Sequence, residues 1–134
     1  MTESPSVNDV VHVAEFRAAL RRFLRRSERI ARSSGLTPQR HLLLLMIKGA
    51  PDGSEQSTVT ELADRLQLAQ STVTELVRRA EEAGLVEREP SPSDGRVAHL
   101  RLTLEGEQRL ARAFTDHEPE REDLHKAFAL LERD

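Results

Sequence analysis

Apolar residues recur at helical spacing across residues 7–34, at Val10, Val13, Phe16, Leu20, Phe23/Leu24 and Ile30/Ala31, while arginines fill the other side. This pattern predicts a long first helix that Gly35 stops. Thr37-Pro38 supplies a capping residue and a proline at the first helical position, so a second helix is expected to run to about Lys48. It carries the apolar run 42–47 and should be buried on most sides. Ala50-Pro51-Asp52-Gly53-Ser54 reads as a loop. Thr58-Val59-Thr60-Glu61 has the form of a capping box and opens a third helix that ends near Leu66. A fourth starts at Ala69 or Gln70 and reaches Ala83, with Gly84 as its stop. Two short strands are expected at 85–89 and 97–102, joined through a loop with an Asp94-Gly95 turn. Thr103 caps a fifth helix to about Phe114, and Pro119 begins a sixth.

Helix, helix, short link, helix and hairpin is the order of a winged helix-turn-helix, in a mainly α fold with a small β-hairpin wing. The link at 66–69 is short enough to set two helices at a steep angle. On the fourth helix Val73, Leu76, Val77 and Ala80 form one stripe, the expected core face. Gln70, Ser71, Thr74, Glu75 and Arg78 lie opposite, a polar strip able to meet base edges and phosphates. An ordinary solvated helix face has the same appearance. The four phenylalanines, Phe16, Phe23, Phe114 and Phe128, fall outside the winged segment, which predicts burial across a two-fold axis between copies. The domain plan is a single domain over 1–134. Within it, 7–50 are N-terminal dimerisation and support helices, 57–103 the winged helix-turn-helix and 104–134 the C-terminal dimerisation helices.

Composition narrows the chemistry. Cysteine is absent, which excludes disulfides, thiolate zinc sites and thiol-based redox sensing. The apolar run 42–47 is far too short to cross a bilayer, and the N-terminus lacks the pattern of a secretory signal; a cytoplasmic protein without membrane partners is expected. With a net charge of −3, no global basic field marks a nucleic-acid partner. The charges are instead segregated. Arg17, Arg21, Arg22, Arg25, Arg26, Arg29 and Arg32 crowd the first helix, and Asp116, Glu118, Glu120, Glu122 and Asp123 crowd a late segment. Two solvated faces of opposite sign account for this.

The segment 57–110 resembles the MarR family, the multiple-antibiotic-resistance regulators of bacteria. Asp94-Gly95-Arg96, followed by Leu102-Thr103 and by Gly106 and Leu110, is similar to the family's wing signature. STVTELVRRAEEAGLVER, residues 71–88, resembles its recognition helix leading into the first wing strand. The resemblance implies a homodimeric regulator that binds double-stranded DNA at an inverted repeat, commonly as a ligand-responsive repressor. It places Gln70, Ser71, Thr72, Thr74 and Arg78 in the major groove, Arg96 in an adjacent minor groove, and Asp94 as the carboxylate that orients Arg96. A guanidinium at a hairpin tip suits a narrow groove, where negative potential is concentrated.

Two positions depart from the family pattern. Glu75 stands where many relatives have arginine; a carboxylate repels phosphate but accepts from a cytosine amine, leaving Arg78 to supply the cation one turn later. Gln67 stands in a link that often takes glycine, and a positive φ there would carry a small strain.

Other functions find less support. There is no phosphate loop, nucleophile elbow or His-Glu-x-x-His helix, so no enzyme and no cofactor are expected. A zinc-responsive regulator of the same fold would draw on His41, but the fifth helix offers Arg109 and Arg112 where ligands would be needed, so no metal site is expected. A winged helix used for protein binding, without DNA, is the remaining alternative. The family's usual effector is a small aromatic or phenolic acid; His41, Leu45, Arg109 and Arg112 are plausible lining, and no ligand residue is assigned.

Overall fold

The computed structural model describes residues 3–91, 93 and 95–132. Six helices and one hairpin follow in order: α1 Val7–Ser33, α2 Pro38–Lys48, α3 Val59–Leu66, α4 Gln70–Glu82, β1 Val86–Pro90, β2 Ala98–Leu102, α5 Leu104–Asp116 and α6 Glu118–Leu131. Four of the six helix starts carry a side-chain cap. Ser6, Thr37 and Thr103 accept a hydrogen bond from the backbone N–H three residues on. At Thr58 the capping box is complete, with Glu61 Oε1 accepting from Thr58 N at 2.9 Å and Thr58 Oγ1 from Glu61 N at 3.2 Å.

The core is assembled by α2, α3, α4, the hairpin and α5. Leu43, Leu44, Ile47, Leu62, Val73, Val77, Leu85 and Leu100 are fully buried within it. The hairpin is antiparallel, with Val86 opposite Leu102 and Pro90 opposite Ala98. Ser57 pairs with the outer edge of β2 through two backbone bonds to Leu100, of 3.1 and 2.8 Å. The strand register is one residue later than expected at β1: Leu85 is buried before the strand begins. Gly84, at φ +75°, turns the chain out of α4, and Leu85 N bonds back to Ala80 O at 3.0 Å.

The Leu102-Thr103…Gly106 signature acquires a physical meaning here. Thr103 Oγ1 donates to Gly84 O at 2.6 Å and accepts from Gly106 N at 3.1 Å, while Thr103 N bonds to Leu85 O at 3.0 Å. One residue thus starts α5 and ties it to the end of α4. A Cβ at Gly106 would sit 2.2 Å from Leu85 O, so only glycine permits this approach.

The terminal helices α1 and α6 pack on each other outside that core, which α1 enters at Ala31. Phe16 and Phe128 meet edge to face at 5.8 Å, and Arg26 pairs with Glu120 at 3.0 Å. Among the described residues no helix is long and apolar enough to cross a membrane.

Candidate nucleic-acid interface

The α3–α4 link is tight because Gln67 adopts a left-handed conformation, φ 56° and ψ 47°. Its N–H reaches Ala63 O and Asp64 O, and its side-chain amide donates to Asp64 O. The sequence departure at this link is thus a strained residue, partly compensated by that extra bond. The link projects α4 with Val73, Val77 and Ala80 buried and Leu76 half-buried. Gln70, Ser71, Thr72, Thr74 and Arg78 are exposed, and Glu75 is half-exposed beside them. Ala69 gives α4 no side-chain cap, so its first N–H groups lack the acceptor that Ser6, Thr37, Thr58 and Thr103 supply to other helices. Such an end is suited to a phosphate.

Charge on this face is internally balanced. Glu75 Oε1 accepts from Arg78 Nη2 at 2.6 Å and from Arg79 Nε at 3.1 Å, while Oε2 accepts from Arg78 Nε at 2.9 Å. Arg78 Nη1 is also held by Glu82. The guanidinium hydrogen bond beside Glu75 is the main reason its carboxyl pKa is held down at about 2. Arg78 therefore does not stand in simply for the cation that Glu75 displaces; it is gripped along the helix by two carboxylates. Further along, Arg88 pairs with Glu81 at 2.9 Å and Arg101 with Glu89 at 3.1 Å.

Arg96 is exposed in the turn between the strands, and Ser91 N bonds to Val97 O at 2.8 Å to close the hairpin below it. Asp94, expected to orient Arg96, lies outside the described residues.

A second feature lies behind the winged core. A cavity of about 320 Å³ opens among α1, α2, α5 and α6, lined by Phe23, Leu24, His41, Leu45, Phe114 and His117 with Arg121 at its side. His41 and His117 are both buried. Desolvation lowers the pKa of each below the ordinary imidazole value, and His117 lowers that of His41 further by charge repulsion. The His117 ring lies 4.4 Å from the Phe23 ring, and its Nε2 is buried without a hydrogen-bond partner. Arg121 lies 3.8 Å above the Phe114 ring and donates to Phe114 O at 2.6 Å.

Of the four lining residues expected from sequence, His41 and Leu45 are present. Arg109 is directed elsewhere, to Glu105 at 2.8 Å and Gly35 O at 2.9 Å, and Arg112 is not in the lining. His117 was not anticipated. It caps both α5 and α6, and its position between Phe114 and the Glu118-Pro119 helix start was the signal available.

This arrangement defines a winged helix-turn-helix protein, and its relatives specify which kind. A MarR family model matches residues 34–97. The HTH-type transcriptional repressor IacR of Pseudomonas putida is 32% identical over 91 residues, covering 68% of this chain and 52% of its own length. The HTH-type transcriptional regulator YsmB of Bacillus subtilis is 29% identical over 132 residues, covering 96% of this chain and 85% of its own length. The fold superposes with a TM-score of 0.69 on Sco3205, a MarR family transcriptional regulator from Streptomyces coelicolor solved in complex with DNA; the two are 23% identical, over 92% of this chain and 77% of that one. The chain belongs to the MarR family and is a DNA-binding transcriptional regulator. That family is one of regulators, not of enzymes.

Proposed function

We propose that the protein is a ligand-responsive repressor that binds an inverted-repeat operator as a homodimer in the cytoplasm. The observation that carries this reading is α4 itself, with one face buried as Val73, Val77 and Ala80 and the opposite face offered as a polar strip. In this reading Gln70, Ser71, Thr72, Thr74 and Arg78 meet the major groove, and Arg96 enters the neighbouring minor groove with Asp94 orienting it. The domain plan follows, with 57–103 as the DNA-binding unit and 7–50 and 104–134 as supporting and dimerising helices. Exposed apolar side chains on the terminal helices, among them Val10, Val13, Phe128 and Leu131, support pairing of two copies.

The cavity supplies the effector site. A small aromatic or phenolic acid fits a space walled by Phe23, Leu45 and Phe114, with His41 and Arg121 among its polar lining. It would release DNA only by binding unequally to states with well-placed and misplaced recognition helices. The test is selection of bound sites from random DNA, then challenge of the complex with a panel of small aromatic acids. An inverted repeat with half-sites roughly one helical turn apart, about 10 base pairs, and release by a member of the panel are expected. A panel that neither raises the melting temperature nor releases DNA removes the effector from the account.

A further inference from the structure

We propose that Glu75 is a specificity-determining residue: its carboxylate reads cytosine while Arg78, held against it, reads guanine of the same base pair. This rests on the reading that α4 enters the major groove. Between Gln70 and Glu82 the helix carries three carboxylates, Glu75, Glu81 and Glu82, and two guanidiniums, Arg78 and Arg79. Side chains with that balance draw no net attraction from phosphates, so their contribution to binding must be directional.

The geometry of the pair matches one base-pair edge. The Glu75 and Arg78 heads are joined at 2.6 and 2.9 Å, a carboxylate that only accepts beside a guanidinium that only donates. In the major groove a C·G pair presents the reverse set, the cytosine N4 donor beside the guanine O6 acceptor. Those two atoms are each other's hydrogen-bond partners, so they lie about 2.9 Å apart, close to the spacing of the protein heads. Arg78 Nη2 keeps a second N–H, and Glu75 Oε1 takes the cytosine N–H in place of its 3.1 Å bond from Arg79 Nε, so the Glu75–Arg78 pair need not open to read the base pair. Charge pairing also limits the cost of desolvating Glu75 in the groove. A thymine O4 opposite the carboxylate would face an acceptor instead of a donor and be rejected. Glu82, which holds the remaining Arg78 nitrogen, keeps the guanidinium from swinging to a phosphate.

The experiment is selection of bound sites from random double-stranded DNA by the full chain, compared with Glu75→Gln and Arg78→Lys. The wild type should enrich C·G at one position of each half-site, and both variants should relax that position by roughly tenfold or more while the rest of the motif persists. An unchanged motif in Glu75→Gln overturns the proposal. So does a gain in affinity that is equal for all sequences, since that would leave Glu75 only a repulsive role. A wild type that selects no sequence overturns the proposed DNA function itself, a distinct result.

Discussion

In the half built from α2 to α5 the large side chains Leu43, Leu44, Ile47, Leu62, Val73 and Leu100 are fully buried, whereas the buried apolar residues of α1 and α6 are alanines: Ala19, Ala31 and Ala127. The large side chains of those two helices lie largely at the surface, with Val10 51% and Phe128 50% exposed. Both halves have helical apolar periodicity, yet only one encloses its stripe within a single chain. The stripe on α2 meets α3, α4 and β2, three elements brought together by short links; α1 finds mainly α6, a single helix, which can cover one side of it. A periodic pattern therefore specifies that a face is to be covered and leaves open what covers it.

Substitutions in the two halves should break along this line. Leu44→Ala removes a fully buried side chain and should cost about 2–5 kcal/mol in denaturant unfolding. Phe128→Glu should leave secondary structure largely intact and instead produce a monomeric mass in sedimentation at micromolar concentration. If Phe128→Glu unfolds the chain without first dissociating it, the contrast between the halves is wrong.

Gly106→Ala probes the contact between α5 and the end of α4. The added Cβ would press on Leu85 O, so overpacking should destabilise by about 1–3 kcal/mol in the same assay. A neutral result would mean α5 can slide relative to α4 at no cost.

The buried histidines, which lie where α1 and α6 meet α2 and α5, give the fold a pH dependence. Each has a folded pKa below its ordinary value of 6.5, so below that pH the unfolded chain takes up protons first. Stability from this source is complete above about pH 6.5 and is lost as the pH falls towards the folded values. Glu55, Glu75 and Glu120, whose pKa values are lowered from 4.5, add a further loss only below about pH 4.5. Melting temperature should therefore decline in two stages, and replacing His41 and His117 together by glutamine should flatten the first alone.

The smallest effect belongs to Gln67→Gly. Glycine relieves the left-handed strain but loses the bond to Asp64 O and gains unfolded-state entropy, so stability should change by no more than about 1 kcal/mol.

The element order was legible in sequence because most boundaries have a local cause: Thr37-Pro38, the Thr58–Glu61 capping box, Thr103 and the glycines at 35 and 84. The exposed strip of α4 was legible for the same reason, since burial of Val73, Val77 and Ala80 fixes the opposite face. The ionic grip on Arg78 was not, because several helix-spaced pairings of Glu75, Arg78, Arg79 and Glu82 are open to these long side chains and the sequence does not rank them. Nor was the cavity: His117 approaches Phe23 and shares the cavity with His41 through tertiary packing that no sequence spacing encodes. Arg109 shows the reverse case, a residue near the expected site whose donors are drawn to Gly35 O and Glu105.

The proposed grip of the dimer on DNA puts α4 in the major groove and the wing arginine in the minor groove. It is tested most directly by the salt dependence of binding to the selected inverted repeat, wild type against Arg96→Ala. If each Arg96 displaces about one condensed counterion, the log–log slope should fall by roughly 1.8 per dimer, with a marked loss of affinity. An Arg96→Ala variant with the wild-type slope and affinity would contradict the groove assignment even with the fold unchanged.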